Sequence, residues 1–155
     1  MRKQLYKFLI TLLESITDTS DNKIKLVKHI DLWNQNVEFA EVGEIFNTPA
    51  VFIEFSDITY ETYRGTATRQ YGDVNVSIHI VTRSLSSTSN FSNSQDAALN
   101  FLELIDRIHN TLDGKSAPGI GALRRIMSVT NHNHGELLES IETYTTTVKD
   151  ASALP

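Results

Sequence analysis

The first seventeen residues carry the clearest pattern of hydrophobic and polar positions. Apolar residues recur at i, i+3, i+4, i+7, i+8 and i+11, which places them on one side of a helix. This stripe consists of Leu5, Phe8, Leu9, Leu12, Leu13 and Ile16. Residues 17–22 are polar, and such side chains compete for backbone hydrogen bonds and end helices. The pattern predicts an amphipathic helix over residues 2–17 that lies on a sheet. A membrane-surface helix is the alternative, and the mixed charges of the polar face argue against it.

The middle of the chain is typical of strands. Residues 24–33 alternate imperfectly and predict a strand, whereas residues 34–48 predict a long loop. The apolar run at residues 50–55 is typical of a central strand, and the Thr-, Tyr- and Arg-rich residues 59–70 indicate a hairpin or an exposed ribbon. Apolar and polar residues alternate strictly over residues 74–80. This period of two predicts a strand with one buried and one polar face.

A second helix is predicted after the polar link at residues 84–94. Its apolar stripe consists of Ala98, Phe101, Leu102, Ile105, Ile108 and Leu112. Gly114 ends this helix, because glycine is favoured just beyond a helix C-terminus. Two strands are then predicted, at residues 120–130 and 137–148, and the turn at residues 131–135 joins them into a hairpin.

The predicted order of elements is α-β-β-β-α-β-β. Because successive strands are joined as in hairpins, we expect an α+β fold, with a mainly antiparallel sheet of about five strands and two helices packed on one face. Residues 1–150 are expected to form a single domain and residues 151–155 a flexible tail. The other sheet face is left to polar residues such as 144–147, and it is interpreted as solvated or as a surface where subunits meet.

Composition excludes several classes of protein. The 155 residues contain no cysteine, which rules out a disulfide scaffold, thiolate zinc sites, iron–sulfur clusters and a cysteine nucleophile. The net charge of −5 argues against tight sequence-independent binding of nucleic acid or of an anionic membrane. Residues 1–30 have a net charge of +3, whereas residues 31–61 hold seven acidic residues and no basic one. This asymmetry allows the basic edge of one copy to meet the acidic edge of the next.

The sequence also bears on location. No stretch approaches the ~20 apolar residues of a membrane span, and no small-residue cleavage site follows the first helix. We therefore expect a soluble protein made in a cytoplasm, with no membrane partner.

Candidate catalytic chemistry is sparse. His132 and His134 would lie on one side of a strand and suggest a metal site, with a third ligand from His79, His109 or Glu136. The pair sits in a predicted turn, however, and is interpreted as a polar turn.

Another motif resembles the end of a phosphate-binding loop. Gly114-Lys115-Ser116 has this form, but position 109 holds histidine instead of glycine, and the tripeptide follows a helix C-terminus. We predict no catalytic, metal-binding or cofactor-binding residue, and no enzyme.

The layout of the whole chain resembles a known family. A helix ends at residues 16–18, a proline-initiated strand follows a variable loop at residues 49–54, and a long strand follows an arginine at residues 69–80. A Ser-rich link then leads into a helix that closes at residues 112–114, and a hairpin at residues 126–148 ends the pattern. This order resembles the tail-terminator, or tail-completion, proteins of long-tailed bacteriophages.

The resemblance implies a structural virion protein. Such proteins form a ring, usually a hexamer, on the head-proximal end of the tail tube, where the ring stops tube polymerisation and joins the tube to the neck. The implied partners are further copies of the chain, the tail tube protein and neck or connector proteins, with DNA only passing through the lumen. No cofactor is implied, and the location is the tail or neck of the virion after assembly in the host bacterial cytoplasm. The alternatives are another phage neck or connector protein, a monomeric protein-binding adaptor, or a small metal-dependent enzyme.

Assembly contacts are expected on three polar segments and one basic pair. The segments are the loop at residues 34–48, the ribbon at residues 60–70 and the link at residues 84–94. The basic pair, Arg124-Arg125, is interpreted as solvated, and contact with a phosphate backbone or with an acidic neighbour is the alternative. The candidate contact residues are Glu38, Glu41, Glu44, Tyr60, Tyr63, Arg64, Arg69, Phe91, Arg124 and Arg125.

Overall fold

The described residues form a five-stranded sheet with two helices. A computed structural model describes residues 1–34, 46–62, 70–83, 95–131 and 137–151. In chain order the elements are α1 (Arg2–Glu14), β1 (His29–Leu32), β2 (Ala50–Thr62), β3 (Gln70–Arg83), α2 (Gln95–Leu112), β4 (Arg124–Asn131) and β5 (Leu137–Asp150). The strand order is β1-β2-β3-β5-β4, and every neighbouring pair is antiparallel except the parallel pair β1–β2. The α+β fold class, the order of elements and the mainly antiparallel sheet are confirmed.

Helix α1 is shorter than its sequence pattern predicts. It ends at Glu14, and the Ser15 hydroxyl donates a hydrogen bond to the Leu12 carbonyl over 2.6 Å. Leu5, Leu9 and Leu13 are fully buried. Ile16 completes the apolar stripe from beyond the helix end, where it remains buried. The spacing thus identifies the buried side of α1 correctly, while the polar residues that follow end it earlier.

The strand predicted over residues 24–33 is wrong over its first half. Only His29–Leu32 forms β1, beside β2. The preceding residues turn back on the end of α1 instead: the Leu26 amide donates to the Ile16 carbonyl over 3.0 Å, and Thr17 forms an isolated bridge with Lys25. This stretch therefore hydrogen-bonds to the end of a helix, which a strand-like spacing does not reveal.

The main core lies between the helices and one face of the sheet, here called the helix face. It is built from the buried stripes of both helices and from alternate residues of the central strands. The strand side chains in it include Val51, Ile53, Val74, Val76, Ile78, Ile80, Tyr144 and Val148. Burying this many aliphatic side chains, each worth about 1.5–3 kcal/mol, is the main stabilising contribution to the fold.

Helix α2 buries a stripe that differs from the one its sequence predicts. Leu104, which the predicted stripe omits, is buried with Ile108 and Leu112, whereas Leu102 is 57% exposed. At 3.6 residues per turn, Leu102 lies about 120° around the helix from Ile108, beyond the contact with the sheet. Gly114 follows the helix with φ +74° and donates its amide to the Leu123 carbonyl over 2.8 Å, so the predicted stop is confirmed.

The polar segment at residues 144–147 is not a single surface. Tyr144 pairs with Val76, and Thr146 pairs with Val74, so both belong to the helix face. Thr145 and Thr147 point to the opposite face, here called the open face, because side chains alternate along a strand. The interpretation of Tyr144 as part of a polar surface is wrong: its side chain is fully buried.

Tyr144 makes the stability of the fold depend on pH in the alkaline range. Burial raises the pKa of Tyr144 well above its usual value of 10, with Arg125 opposing the shift and with Glu142 and Asp113 adding to it. Above pH 10 the unfolded chain ionises this tyrosine and the folded chain does not. The stabilising contribution is therefore fully present below pH 10 and is lost as the pH rises further.

Between about pH 9.5 and 11.5 we expect the free energy of unfolding to fall less steeply in Tyr144→Phe than in the parent chain. At neutral pH the variant should lose at most about 1 kcal/mol, since the removed contact with His109 Nδ1 is long, at 3.3 Å. Urea unfolding followed by circular dichroism at each pH measures this, with the exposed Tyr71→Phe as the control. Parallel pH profiles for Tyr144→Phe and the parent chain would contradict the assignment.

Candidate functional site

A chain of polar side chains crosses four strands on the open face. One member comes from each strand: Glu54 from β2, His79 from β3, Glu139 from β5 and Asn131 from β4. His79 Nδ1 lies 2.7 Å from Glu139 Oε1, and His79 Nε2 lies 3.1 Å from Glu54 Oε2. The Asn131 amide donates to Glu139 Oε2 over 2.6 Å. The four side chains therefore tie the strands together across the sheet.

The polar face predicted from the alternation over residues 74–80 is partly buried. Ser77 and His79 both lie on it, and both are buried. The Ser77 and Thr143 hydroxyls are 3.1 Å apart, and the His79 ring stacks on Trp33 with centroids 4.0 Å apart. Polar side chains are buried here because they find partners on neighbouring strands.

Trp33 belongs to a small second cluster that covers part of the open face. Ala50, Phe52 and Val81 are its buried members, and Trp33 and Phe46 pack against them. The rings of Phe46 and Phe52 meet edge to face at 5.1 Å. This cluster closes one side of His79, since the Trp33 ring is nearly parallel to the imidazole, at 7°.

The surroundings of His79 limit its chemistry. Each ring nitrogen already faces a carboxylate oxygen, and one ring face is covered by Trp33. A general base needs a nitrogen within reach of its substrate. His79 is instead placed to hold β2, β3 and β5 in register.

A second polar cluster lies on the helix face of β4 and β5. The Glu142 carboxylate is 0% exposed. Arg125 Nη1 lies 3.0 Å from its Oε2, and the Ser128 and Ser140 hydroxyls donate to its Oε1 over 2.7 and 2.9 Å. A buried carboxylate is tolerated when a cation and hydrogen bonds satisfy it. Arg125 is therefore exposed, as expected from the sequence, but Glu142 holds its guanidinium.

Strand β4 forms an edge of the sheet, and its side chains are exposed along nearly its whole length. Three of them are large and apolar: Ile126, Met127 and Val129 are 55, 50 and 43% exposed. Met127 pairs with Thr143 and Val129 with Ile141, so both lie on the open face. Exposed apolar side chains on an edge strand are typical of a surface that meets another protein chain.

Among the predicted contact residues, Arg124 lies on this β4 edge. It is 68% exposed, with Nη1 3.9 Å from the Asp113 carboxylate. Tyr60 lies elsewhere, toward the far end of β2. Desolvation is the main cause that raises the pKa of Tyr60, followed by the nearby Asp150, with Arg2 opposing. The structure therefore does not bring Tyr60 and Arg124 into one site.

The remaining predicted contact residues lie outside the described part of the chain. They are Glu38, Glu41, Glu44, Tyr63, Arg64, Arg69 and Phe91. The same holds for the candidate metal ligands His132, His134 and Glu136.

The buried acidic residues of β5 were missed by sequence reasoning. Glu139 and Glu142 look like ordinary solvated carboxylates in a strand of mixed composition. Their partners come from residues up to 60 positions away, so no local pattern reveals them.

A groove of about 490 Å³ opens between α2 and the segment that follows α1. Arg107 lines it, but Glu103 Oε1 and the Thr17 carbonyl hold its guanidinium at 2.8 and 3.1 Å. Within the described ranges, no group of three or more His, Asp or Glu side chains is placed to hold a metal ion. Neither described helix combines the length and apolar content needed to cross a membrane.

The described residues thus present two internal polar clusters and an exposed apolar edge. The clusters direct their hydrogen bonds at other parts of the same chain, whereas the β4 edge directs apolar side chains outward. Comparison of the chain with known protein-family models and with curated proteins finds no match.

Proposed function

We propose that this chain is a structural, non-enzymatic tail-terminator protein of a phage tail. Copies of it form a ring, with six members as the expected number, at the head-proximal end of the tail tube. The ring ends tube polymerisation and presents a surface to the neck. The observation that carries the proposal is the exposed apolar edge of β4, formed by Ile126, Met127 and Val129.

The edge supports assembly because an exposed strand offers unpaired amides and carbonyls to another chain. Many monomeric proteins protect such edges with charges, prolines or covering loops. Here Arg124 and Arg125 stand at one end of β4, and Arg125 is turned toward Glu142. Three large apolar side chains follow with little protection, which favours a protein partner over water.

The internal clusters support a scaffold. Glu54, His79 and Glu139 join three strands on the open face, and Glu142 joins β5 to Arg125 and Ser128 on β4 on the helix face. Fully satisfied polar networks make a fold rigid and specify one arrangement of it. A rigid sheet that reaches an exposed edge suits a ring subunit, whose contacts must repeat identically around the ring.

The test is a tube-length assay with the full chain and the tail tube protein of the same phage. Tube protein is polymerised with and without the chain, and tube lengths are measured by electron microscopy. We expect the chain to shorten the length distribution at substoichiometric ratios, because one ring per tube suffices. Unchanged lengths, with the chain recovered free of the tubes, would contradict the proposed function. Binding along the tube wall would favour a different neck protein or an adaptor.

A further inference from the structure

We propose that the β4 edge of one copy pairs with the β1 edge of the next copy, so that the sheet continues from subunit to subunit. This inference rests on the proposed ring and names the surface that builds it. The partner is a second copy of this chain, in a head-to-tail contact that uses two different edges.

Both edges of the sheet are available among the described residues. β4 pairs only with β5, and β1 pairs only with β2. β2 runs parallel to β1, and the direction then reverses at each step from β2 to β3, from β3 to β5 and from β5 to β4. β4 therefore runs antiparallel to β1. When the same sheet is repeated beside itself without being turned over, β4 and the next β1 therefore meet as an antiparallel pair.

Charge complementarity selects the partner edge. Arg124 begins β4 and is 68% exposed, and its closest carboxylate, Asp113, is 3.9 Å away. Asp31 lies on β1 and is 55% exposed; its carboxylate accepts a hydrogen bond from the Leu32 amide over 2.7 Å, and the nearest cationic side chain is His29, with Nε2 at 3.9 Å. Arg124 pairs with Thr145 on the open face, and Asp31 pairs with Phe52, which also belongs to the open face. The two opposite charges therefore lie on the same face of a continuous sheet.

One register satisfies both strands. If Arg124 stands opposite Asp31 of the next copy, Met127 comes opposite His29, because the irregularity between Arg125 and Met127 adds one residue to β4. Both pairs then stay on the open face, and a shift by one residue would place the charges on opposite faces. The exposed Leu32, at the end of β1, is covered in the same contact.

A two-fold contact between two β4 edges is the competing arrangement. It would bring Arg124 and Arg125 of both copies to the same interface and would leave β1 unpaired. It would also close as a dimer, since a two-fold interface uses the same surface on both copies and cannot build a larger ring by itself.

Cysteine cross-linking separates these arrangements, and the native chain contributes no background because it contains no cysteine. The variants are Arg124→Cys, Asp31→Cys and the double variant, each oxidised both free and bound to tail tubes. We expect the double variant to form a disulfide-linked ladder of several chains, because Cα atoms facing each other across an antiparallel pair lie within disulfide range. Each single variant should stay as single chains on a non-reducing gel.

A cross-linked dimer of Arg124→Cys alone would overturn the inference in favour of the two-fold contact. If none of the three variants forms cross-links, the inference is overturned as well. In either case, tubes that are still shortened by the native chain leave the proposed function standing. A native chain that neither assembles nor shortens tubes removes both proposals.

The second test introduces a charged side chain on the β4 edge. Met127→Lys should reduce the assembled fraction at least tenfold in sedimentation velocity, because a lysine opposite His29 on the open face has to be desolvated in the contact. Leu102→Lys is the matched control, since Leu102 is also apolar and exposed (57%, against 50% for Met127) but lies on α2. Both variants should keep the melting temperature of the free chain. Equal assembly of the two variants would contradict the role of the β4 edge.

Discussion

Replacing Arg125 with methionine is expected to lower the free energy of unfolding by about 3–5 kcal/mol. The reason is the Glu142 carboxylate, which has no exposed surface and lies 3.0 Å from the guanidinium. Methionine keeps the aliphatic bulk of the side chain and removes only the cation. The Ser128 and Ser140 hydroxyls remain, but two neutral donors do not offset the burial of a full charge. Urea unfolding followed by circular dichroism at pH 7 measures the loss.

Arg124→Met is the matched control for this experiment. Arg124 is the neighbouring residue, but it is mostly exposed and its ion pair is long, at 3.9 Å. Its replacement should change the stability by less than about 0.5 kcal/mol. The double variant Arg125→Met, Glu142→Gln should recover most of the stability lost in the single variant, because no charge then remains buried. A loss in Arg125→Met as small as that in Arg124→Met would show that Glu142 does not depend on Arg125.

Replacing His79 with leucine alone is expected to lower the free energy of unfolding by about 3 kcal/mol. Glu139 is almost fully buried and would keep the Asn131 amide but lose the ring nitrogen at 2.7 Å. Leucine fills a similar volume, so the loss reports the polar contacts instead of a cavity. Because Trp33 is the only tryptophan and stacks on His79, its fluorescence follows unfolding at the site itself.

His29→Leu provides the comparison for His79. His29 is also a histidine beside a carboxylate, but it is 38% exposed and 3.9 Å from Asp31. We expect its replacement to change the stability by less than about 1 kcal/mol. Adding Glu139→Gln to His79→Leu should restore part of the loss. Equal effects of the two histidine substitutions would mean that the polar chain across the open face does not stabilise the sheet.

Much of the fold could be predicted because it follows from local periodicity. The spacing in α1 identifies its buried leucines, and the alternation in β3 identifies the side chains under the helices. The extent of β1 could not be predicted, because hydrogen bonds to the end of α1 decide where the chain turns. Apolar spacing reports which residues are buried and not which element buries them.

The candidate site was less accessible to sequence reasoning. The partners of His79 lie 25 and 60 residues away along the chain, so only the strand register brings them together. Arg124 and Arg125 look alike in the sequence, yet the alternation of β4 turns one to the open face and the other toward Glu142. The apolar side chains of β4 were visible in the sequence, but their exposure depends on β4 being an edge strand, which is a property of the topology.

The charge asymmetry of the sequence acquires a more specific interpretation. Arg2 from the basic first segment lies near Tyr60 of the acidic segment within the same chain, so these segments are partly neighbours already. The pair proposed for a contact between copies consists of Asp31 from the acidic segment and Arg124, which lies outside the basic first 30 residues; the two come from opposite edges of the sheet. Exposed charge pairs are screened by salt, so added salt should weaken this part of the contact.

The most direct test of the ring is electron cryomicroscopy of tail tubes assembled with the full chain. The account predicts one closed ring of a fixed number of copies at a single end of each tube. It also predicts that the density of the sheet passes from β4 of one copy to β1 of the next. Copies at both ends, copies scattered along the tube wall, or bare tube ends would contradict it.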